Sequence, residues 1–78
     1  MKVPRDVSAD RLIRLLETLG YKVTRQKGSH ARLRHDGPPA HSITVPRHKR
    51  LKTGTLQPIL AEIARMRSVT VDSLTEAL

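Results

Sequence analysis

The chain has 78 residues and a formal net charge of +8, with no cysteine, phenylalanine or tryptophan and a single tyrosine. Folding at this size hides only about 60% of the surface an unfolded chain exposes, so one domain is expected, spanning 1–78, with a core built from Leu, Ile and Val. The composition excludes a disulfide scaffold and a thiolate metal site, and no apolar run approaches the roughly 20 residues of a membrane span.

Met1-Lys2-Val3-Pro4-Arg5 lacks the apolar centre of a secretion signal, so a soluble, cytoplasmic protein is expected. Ser8 is a good helix N-cap. Leu12, Leu15, Leu16 and Leu19 then recur at offsets of three, four and seven before Gly20, which predicts a helix over about 8–19 with a leucine stripe. From Tyr21 the period becomes two. Tyr21 and Val23 alternate with Lys22, Thr24 and Gln26; after Lys27-Gly28-Ser29, Ala31 and Leu33 alternate with His30, Arg32 and Arg34. Asp36-Gly37-Pro38-Pro39 signals a turn, followed by Ile43 and Val45 alternating with Ser42, Thr44 and Pro46.

Three antiparallel strands are thus expected, with Val23, Ala31, Leu33, Ile43 and Val45 facing helices and His30 on the open face beside Arg32 and Arg34. After a basic loop, Leu56, Ile59, Leu60, Ile63 and Met66 predict a second helix at about 55–67, capped by Thr53 or Thr55, with Pro58 in its first turn. Thr70 can cap a short helix carrying Val71, Leu74 and Leu78 on one side, within a tail of residues 68–78. The fold class read from this order is α+β, α-β-β-β-α with a short C-terminal helix.

The positive charge is concentrated. Residues 21–52 hold Lys22, Arg25, Lys27, Arg32, Arg34, Arg47, Lys49, Arg50 and Lys52 against Asp36 alone, while both flanks are close to neutral. Such a field attracts polyanions. The charge lies in strands and a loop, and both long helices are nearly neutral, which disfavours a DNA-reading helix. With Tyr21 directed inward, recognition by base stacking is poorly supported, and shape and phosphate contacts remain.

Within this segment, Arg25-Gln26-Lys27-Gly28-Ser29-His30 sets a histidine just past a glycine hinge. Gly28 alone would read as an ordinary hairpin glycine, but it also lets a phosphate approach backbone amides, and a cation, a hydroxyl and an imidazole flank it. Histidine can take and give a proton near neutral pH. RNA supplies its own nucleophile, the ribose 2′-hydroxyl, so cleavage needs a proton acceptor, a proton donor and positive charge around the phosphate, without a metal. The other histidines read differently. His35 is expected as a solvated strand end, and His41 as half buried. His48, with Arg47, Lys49, Arg50 and Lys52 ahead of the second helix, is expected at an anion site as a phosphate contact or as the partner acid. No cysteine, no HxxxH pair and only Asp36 nearby leave little to bind a metal.

Gly20-Tyr21 leads into Arg25-Gln26-Lys27-Gly28-Ser29-His30, and Thr44-Val45-Pro46-Arg47-His48 runs into Leu51-Lys52-Thr53-Gly54-Thr55-Leu56 and Ile59-Leu60. With both motifs in this order, from about Ser8 to Ile63, the chain resembles the HicA toxin family (YcfA-like), ribonucleases of HicAB-type toxin–antitoxin systems. The resemblance implies a fold like a double-stranded RNA-binding domain, with two helices on one face of a three-stranded sheet. It also implies cofactor-free, metal-independent cleavage of mRNA with His30 as the catalytic residue, and inhibition by a HicB-like antitoxin. Gly28 and Ser29 match the motif glycine and serine; His48 matches a frequent histidine after the Val-Pro pair. Ala31-Arg32-Leu33 departs from the bulky residue family members often carry after the motif histidine. The nucleic-acid contacts expected around His30 are Lys22, Lys27, Gly28, Ser29, Arg32, Arg34, Arg47, His48, Lys49, Arg50 and Lys52. A non-catalytic RNA-binding module of the same fold is the competing reading, and the sequence leaves homo-oligomerisation open.

Overall fold

Ser8 opens the first helix as its sequence suggests: its hydroxyl accepts the Arg11 N–H at 3.1 Å, and α1 runs over Ala9–Thr18. The computed structural model describes residues 7–78; the N-terminal residues 1–5 read for a signal lie outside the described part. Helix α1 ends through two backbone bonds, Gly20 N–H to the Glu17 carbonyl and Tyr21 N–H to the Leu16 carbonyl, the pairing of a Schellman motif. That geometry needs positive φ, and Gly20 has φ +99°. A Cβ there would also lie 2.9 Å from the His35 ring.

Three strands follow, β1 (Lys22–Lys27), β2 (His30–His35) and β3 (His41–Pro46), in an antiparallel sheet of order β1-β2-β3. Helices α2 (Thr53–Arg67) and α3 (Val71–Ala77) complete the chain. The expected α+β order therefore holds, with the short terminal helix capped by Thr70, whose hydroxyl accepts the Ser73 N–H.

One face of the sheet is closed. Ala31, Leu33, Ile43 and Val45 share a core with Leu12, Leu15 and Leu16 of α1, with Leu56, Leu60 and Ile63 of α2, and with Leu74 of α3. Burying each leucine or isoleucine contributes about 1.5–3 kcal/mol, so this aliphatic cluster carries the fold without aromatic bulk. Tyr21 joins it, only 2% exposed. Val23 does not, although it pairs with Leu33 on the same face: β1 is an edge strand exposed along its whole length, and Val23 stays 42% exposed.

Two details of α2 differ from the sequence reading. The helix begins two residues early, at Thr53, with Lys52 as an N-cap that makes no side-chain cap bond, so neither threonine caps it. Pro58 consequently falls beyond the first turn, and the N–H it lacks is one that would have reached the Gly54 carbonyl. Helix α2 ends at Ser68 in the left-handed region, φ 56° and ψ 42°.

His35 also departs from expectation, being half-buried. Its Nδ1 accepts the Gly37 N–H at 2.8 Å and its Nε2 donates to the Leu19 carbonyl at 3.0 Å. Tyr21 packs edge-on against both His35 and His41 and donates its hydroxyl to His41 Nε2 at 2.6 Å, while His41 Nδ1 donates to the Pro39 carbonyl. Burial pushes the Tyr21 phenol above its ordinary value, Arg67 pulls it back, and Glu62 adds to the rise. Arg67, at the end of α2, packs with Nη1 2.9 Å from His35 Nε2 without a hydrogen bond to it, since that nitrogen's proton goes to Leu19, and donates through Nη2 to the Pro38 and Pro39 carbonyls. This polar cluster ties the β2–β3 turn to the helices at the far end of β2 from His30.

Two substitutions test the backbone reading in urea unfolding. Ser68→Gly relieves a left-handed residue and is expected to stabilise the protein by about 1 kcal/mol. Gly20→Ala is expected to destabilise it by about 1–3 kcal/mol, because it adds strain at positive φ and crowds the His35 ring.

Candidate nucleic-acid interface

Lys22 pairs with Arg34 and Val23 with Leu33, but the next partners are Arg25 and Arg32, so β1 carries an extra residue at Thr24. A bulge of this kind shifts the side-chain alternation of everything that follows it. Gln26 turns to the helix side opposite Ala31, and Arg25 and Lys27 turn to the open face opposite Arg32 and His30. Strict alternation from Tyr21 would have put Gln26 on the open face and Arg25 behind it. Arg25 is thus the candidate interface residue that sequence reasoning missed, and two adjacent polar residues, Thr24-Arg25, were the faint signal of the break.

On the open face β1 contributes Lys22, Arg25 and Lys27, β2 contributes His30, Arg32 and Arg34, and β3 contributes Ser42, Thr44 and Pro46. Two like-charged pairs stand directly across the ladder, Lys22 with Arg34 and Arg25 with Arg32. Such pairs repel, which fits a surface that receives an anion. The acid beside them, Asp36, takes the Arg34 Nε at 3.2 Å at the end of the strand. Arg32 Nη1 donates to Thr44 Oγ1 at 3.0 Å, which aims its guanidinium along the face.

Arg25, Lys27, His30, Arg32 and Thr44 border an open depression of about 230 Å³. His30 is exposed, and neither ring nitrogen is engaged by another described residue. Gly28 and Ser29 form the two-residue turn that delivers it, with Lys27 and His30 as the closing pair. Gly28 has φ +55° and Ser29 has no positive φ, as a type II′ turn requires. A Cβ on Gly28 would meet nothing within 4 Å, so the glycine serves the backbone and leaves the turn open to a ligand.

The remaining expected contacts lie on the loop after β3. Arg47, His48 and Lys49 line a second depression of about 280 Å³ with Ser8, Ala9 and Asp10; Arg50 is exposed, and Lys52 occupies the N-cap position of α2. Leu51 pairs with Val7, which holds this loop against the start of α1. Arg47 itself is engaged, with Nη2 2.5 Å from Asp10 Oδ1 and Nη1 3.0 Å from Gln26 Oε1. Among the described residues no group of three or more His, Asp or Glu side chains could hold a metal ion.

Residues 9–64, which take in α1, all three strands and most of α2, match the family model of the HicA toxin of bacterial toxin–antitoxin systems. The chain belongs to the HicA toxin family. No curated protein and no solved structure matches it. In this HicA-family chain the matched span contains the whole lining of the His30 depression and all of the second but Ser8, and α3 lies beyond it. Family membership makes the chain a toxin and implies an antitoxin partner. No helix among the described residues is long and apolar enough to cross a membrane.

The like-charged pair gives a two-sided expectation for Arg25→Gln. The free protein becomes more stable by roughly 0.2–1 kcal/mol, as the repulsion from Arg32 is removed. Affinity for a single-stranded RNA oligomer falls, and the slope of log affinity against log salt shrinks by about 0.7. Thermal unfolding and binding titrations over a salt series read the two effects separately.

Proposed function

We propose that this HicA-type toxin is a metal-independent endoribonuclease that binds mRNA on the open face of its sheet and cleaves it with His30. The observation that carries the reading is the placement of one exposed imidazole among Arg25, Lys27 and Arg32, with no intramolecular partner among the described residues. Of the other histidines, His35 and His41 are occupied in the Tyr21 cluster at the opposite end of β2, and His48 lies on the loop.

In this mechanism the 2′-hydroxyl attacks the adjacent phosphorus while His30 accepts its proton. The P–O5′ bond breaks, and the departing 5′ oxygen takes a proton from a general acid, either the imidazolium so formed or a water. The products are a 2′,3′-cyclic phosphate and a 5′-hydroxyl. Arg25, Lys27 and Arg32 offset the charge that builds on the non-bridging oxygens, and the Gly28 turn admits the backbone. Lys22, Arg34 and the loop cations His48, Lys49, Arg50 and Lys52 extend the track for neighbouring phosphates. A HicB-like antitoxin in the cytoplasm would neutralise the toxin by presenting acidic groups to the same face.

The test is single-turnover cleavage of an mRNA fragment in EDTA by wild type and His30→Ala, with binding of the same RNA measured in parallel. His30→Ala is expected to cut about 10²–10⁴-fold more slowly while binding nearly as well. Equal binding with no cleavage by either protein would instead identify a non-catalytic RNA-binding module.

A further inference from the structure

Arg47 follows β3 directly and touches three other parts of the fold. Its backbone N–H donates to the Ser29 carbonyl at 2.5 Å, which carries the β2–β3 ladder one residue past the His30 and Pro46 pair. Bonded and non-bonded pairs alternate along an antiparallel ladder, so His30 and Pro46 form a non-bonded pair, where the missing proline N–H costs nothing. The bond to Ser29 therefore brings the Gly28–Ser29 turn under the control of the β3 end. Meanwhile the guanidinium divides its fork between Gln26 Oε1, one residue before Lys27 in β1, and Asp10 Oδ1 in the first turn of α1. The next residue joins in, since the His48 carbonyl accepts the Ala9 N–H at 3.0 Å. Gln26 is available for this bond because the bulge at Thr24 has turned it away from the open face.

We infer that Arg47 is a positioning residue: with Asp10 and Gln26 it fixes the Gly28–Ser29 turn, and through it the His30 imidazole, instead of holding a substrate phosphate. This rests on the ribonuclease reading above. The two-armed contact needs the planar, forked donor set of arginine, and the charge is spent locally on Asp10. An exposed histidine at the end of a two-residue turn has little else to fix its approach to a scissile phosphate. Small displacements of a catalytic group cost up to about 100-fold in rate.

The experiment compares wild type, Arg47→Gln, Asp10→Asn, Gln26→Ala and Arg47→Lys. Three quantities are measured: the single-turnover cleavage rate, the affinity for an uncleavable 2′-deoxy analogue over a salt series, and amide ¹⁵N order parameters at Gly28, Ser29 and His30. Arg47→Gln, Asp10→Asn and Gln26→Ala are each expected to slow cleavage by about 10- to 100-fold and lower the order parameters at Ser29 and His30. Arg47→Gln and Gln26→Ala leave the salt slope unchanged, and Arg47→Lys recovers part of the rate. The inference is overturned if Gln26→Ala cleaves like wild type while Arg47→Gln weakens binding and lowers the salt slope by about 0.7, as loss of a phosphate contact would. Should Arg47→Gln fail to fold, Gln26→Ala, which removes no charge, carries the test. A wild type that does not cleave RNA would remove the ribonuclease reading. The order parameters of Gln26→Ala and Asp10→Asn would then still decide the staple, unchanged values overturning it and lowered values upholding it.

Discussion

Arg25 faces Arg32 and Lys22 faces Arg34 across one antiparallel ladder, and this repulsion is the constraint around which the molecule is organised. Like charges directly opposed each cost tenths to about 1 kcal/mol, and among the described residues of the open face the one ion pair set against them is that of Arg34 with Asp36 at its edge. The opposing force comes from the other face of the same strands. Ala31, Leu33, Ile43 and Val45 are all at most 4% exposed and seal against leucines and isoleucines of three helices. A sheet closed on one side by aliphatic packing can hold a field on the other side that an isolated hairpin could not. The free energy of the core thus supports a surface suited to a polyanion, the surface to which the proposed function is assigned.

The elements were legible because each carries its own local physics. Ser8 and the leucine stripe specify α1, Gly20 closes it, and the alternation around Ala31, Leu33, Ile43 and Val45 sets the buried face of the sheet. The parts that escaped depend on contacts remote in sequence. Nothing near Val23 says that β1 will be an uncovered edge, and nothing near Arg25 says that Thr24 will bulge. The start of α2 escaped for a related reason: Lys52 has no capping side-chain oxygen to signal an N-cap, and the Leu51 and Val7 bridge just before it joins residues remote in sequence. His30 was legible as a candidate because its parity and its glycine turn are both local. The company it keeps was legible only in part, since Arg25 reaches it through the bulge.

The four histidines show how one side chain is put to different uses by position. His35 and His41 lie on the helix side of the sheet, next to Tyr21, where each ring nitrogen meets a partner and the rings act as polar packing between strands and helices. His48 contributes its carbonyl to the start of α1 and leaves its ring on the loop. His30 alone stands among the cations of the open face. Arg47 and Arg67 divide in the same way from the arginines of that face: one anchors the His30 turn and the other the β2–β3 turn, so the two ends of the sheet are each held by a guanidinium from outside it.

The central claim is that the RNA 2′-hydroxyl is the nucleophile and that His30, not a metal-activated water, manages its proton. The chemistry of the cut ends tests this most directly. RNA of defined sequence is incubated with the purified toxin in EDTA, and the termini are identified by mass spectrometry. A 2′,3′-cyclic phosphate with a 5′-hydroxyl is the expected result, absent when the residue 5′ to the cut is replaced by its 2′-deoxy form. A 3′-hydroxyl with a 5′-phosphate, or undiminished cutting of the 2′-deoxy substrate, would contradict the account.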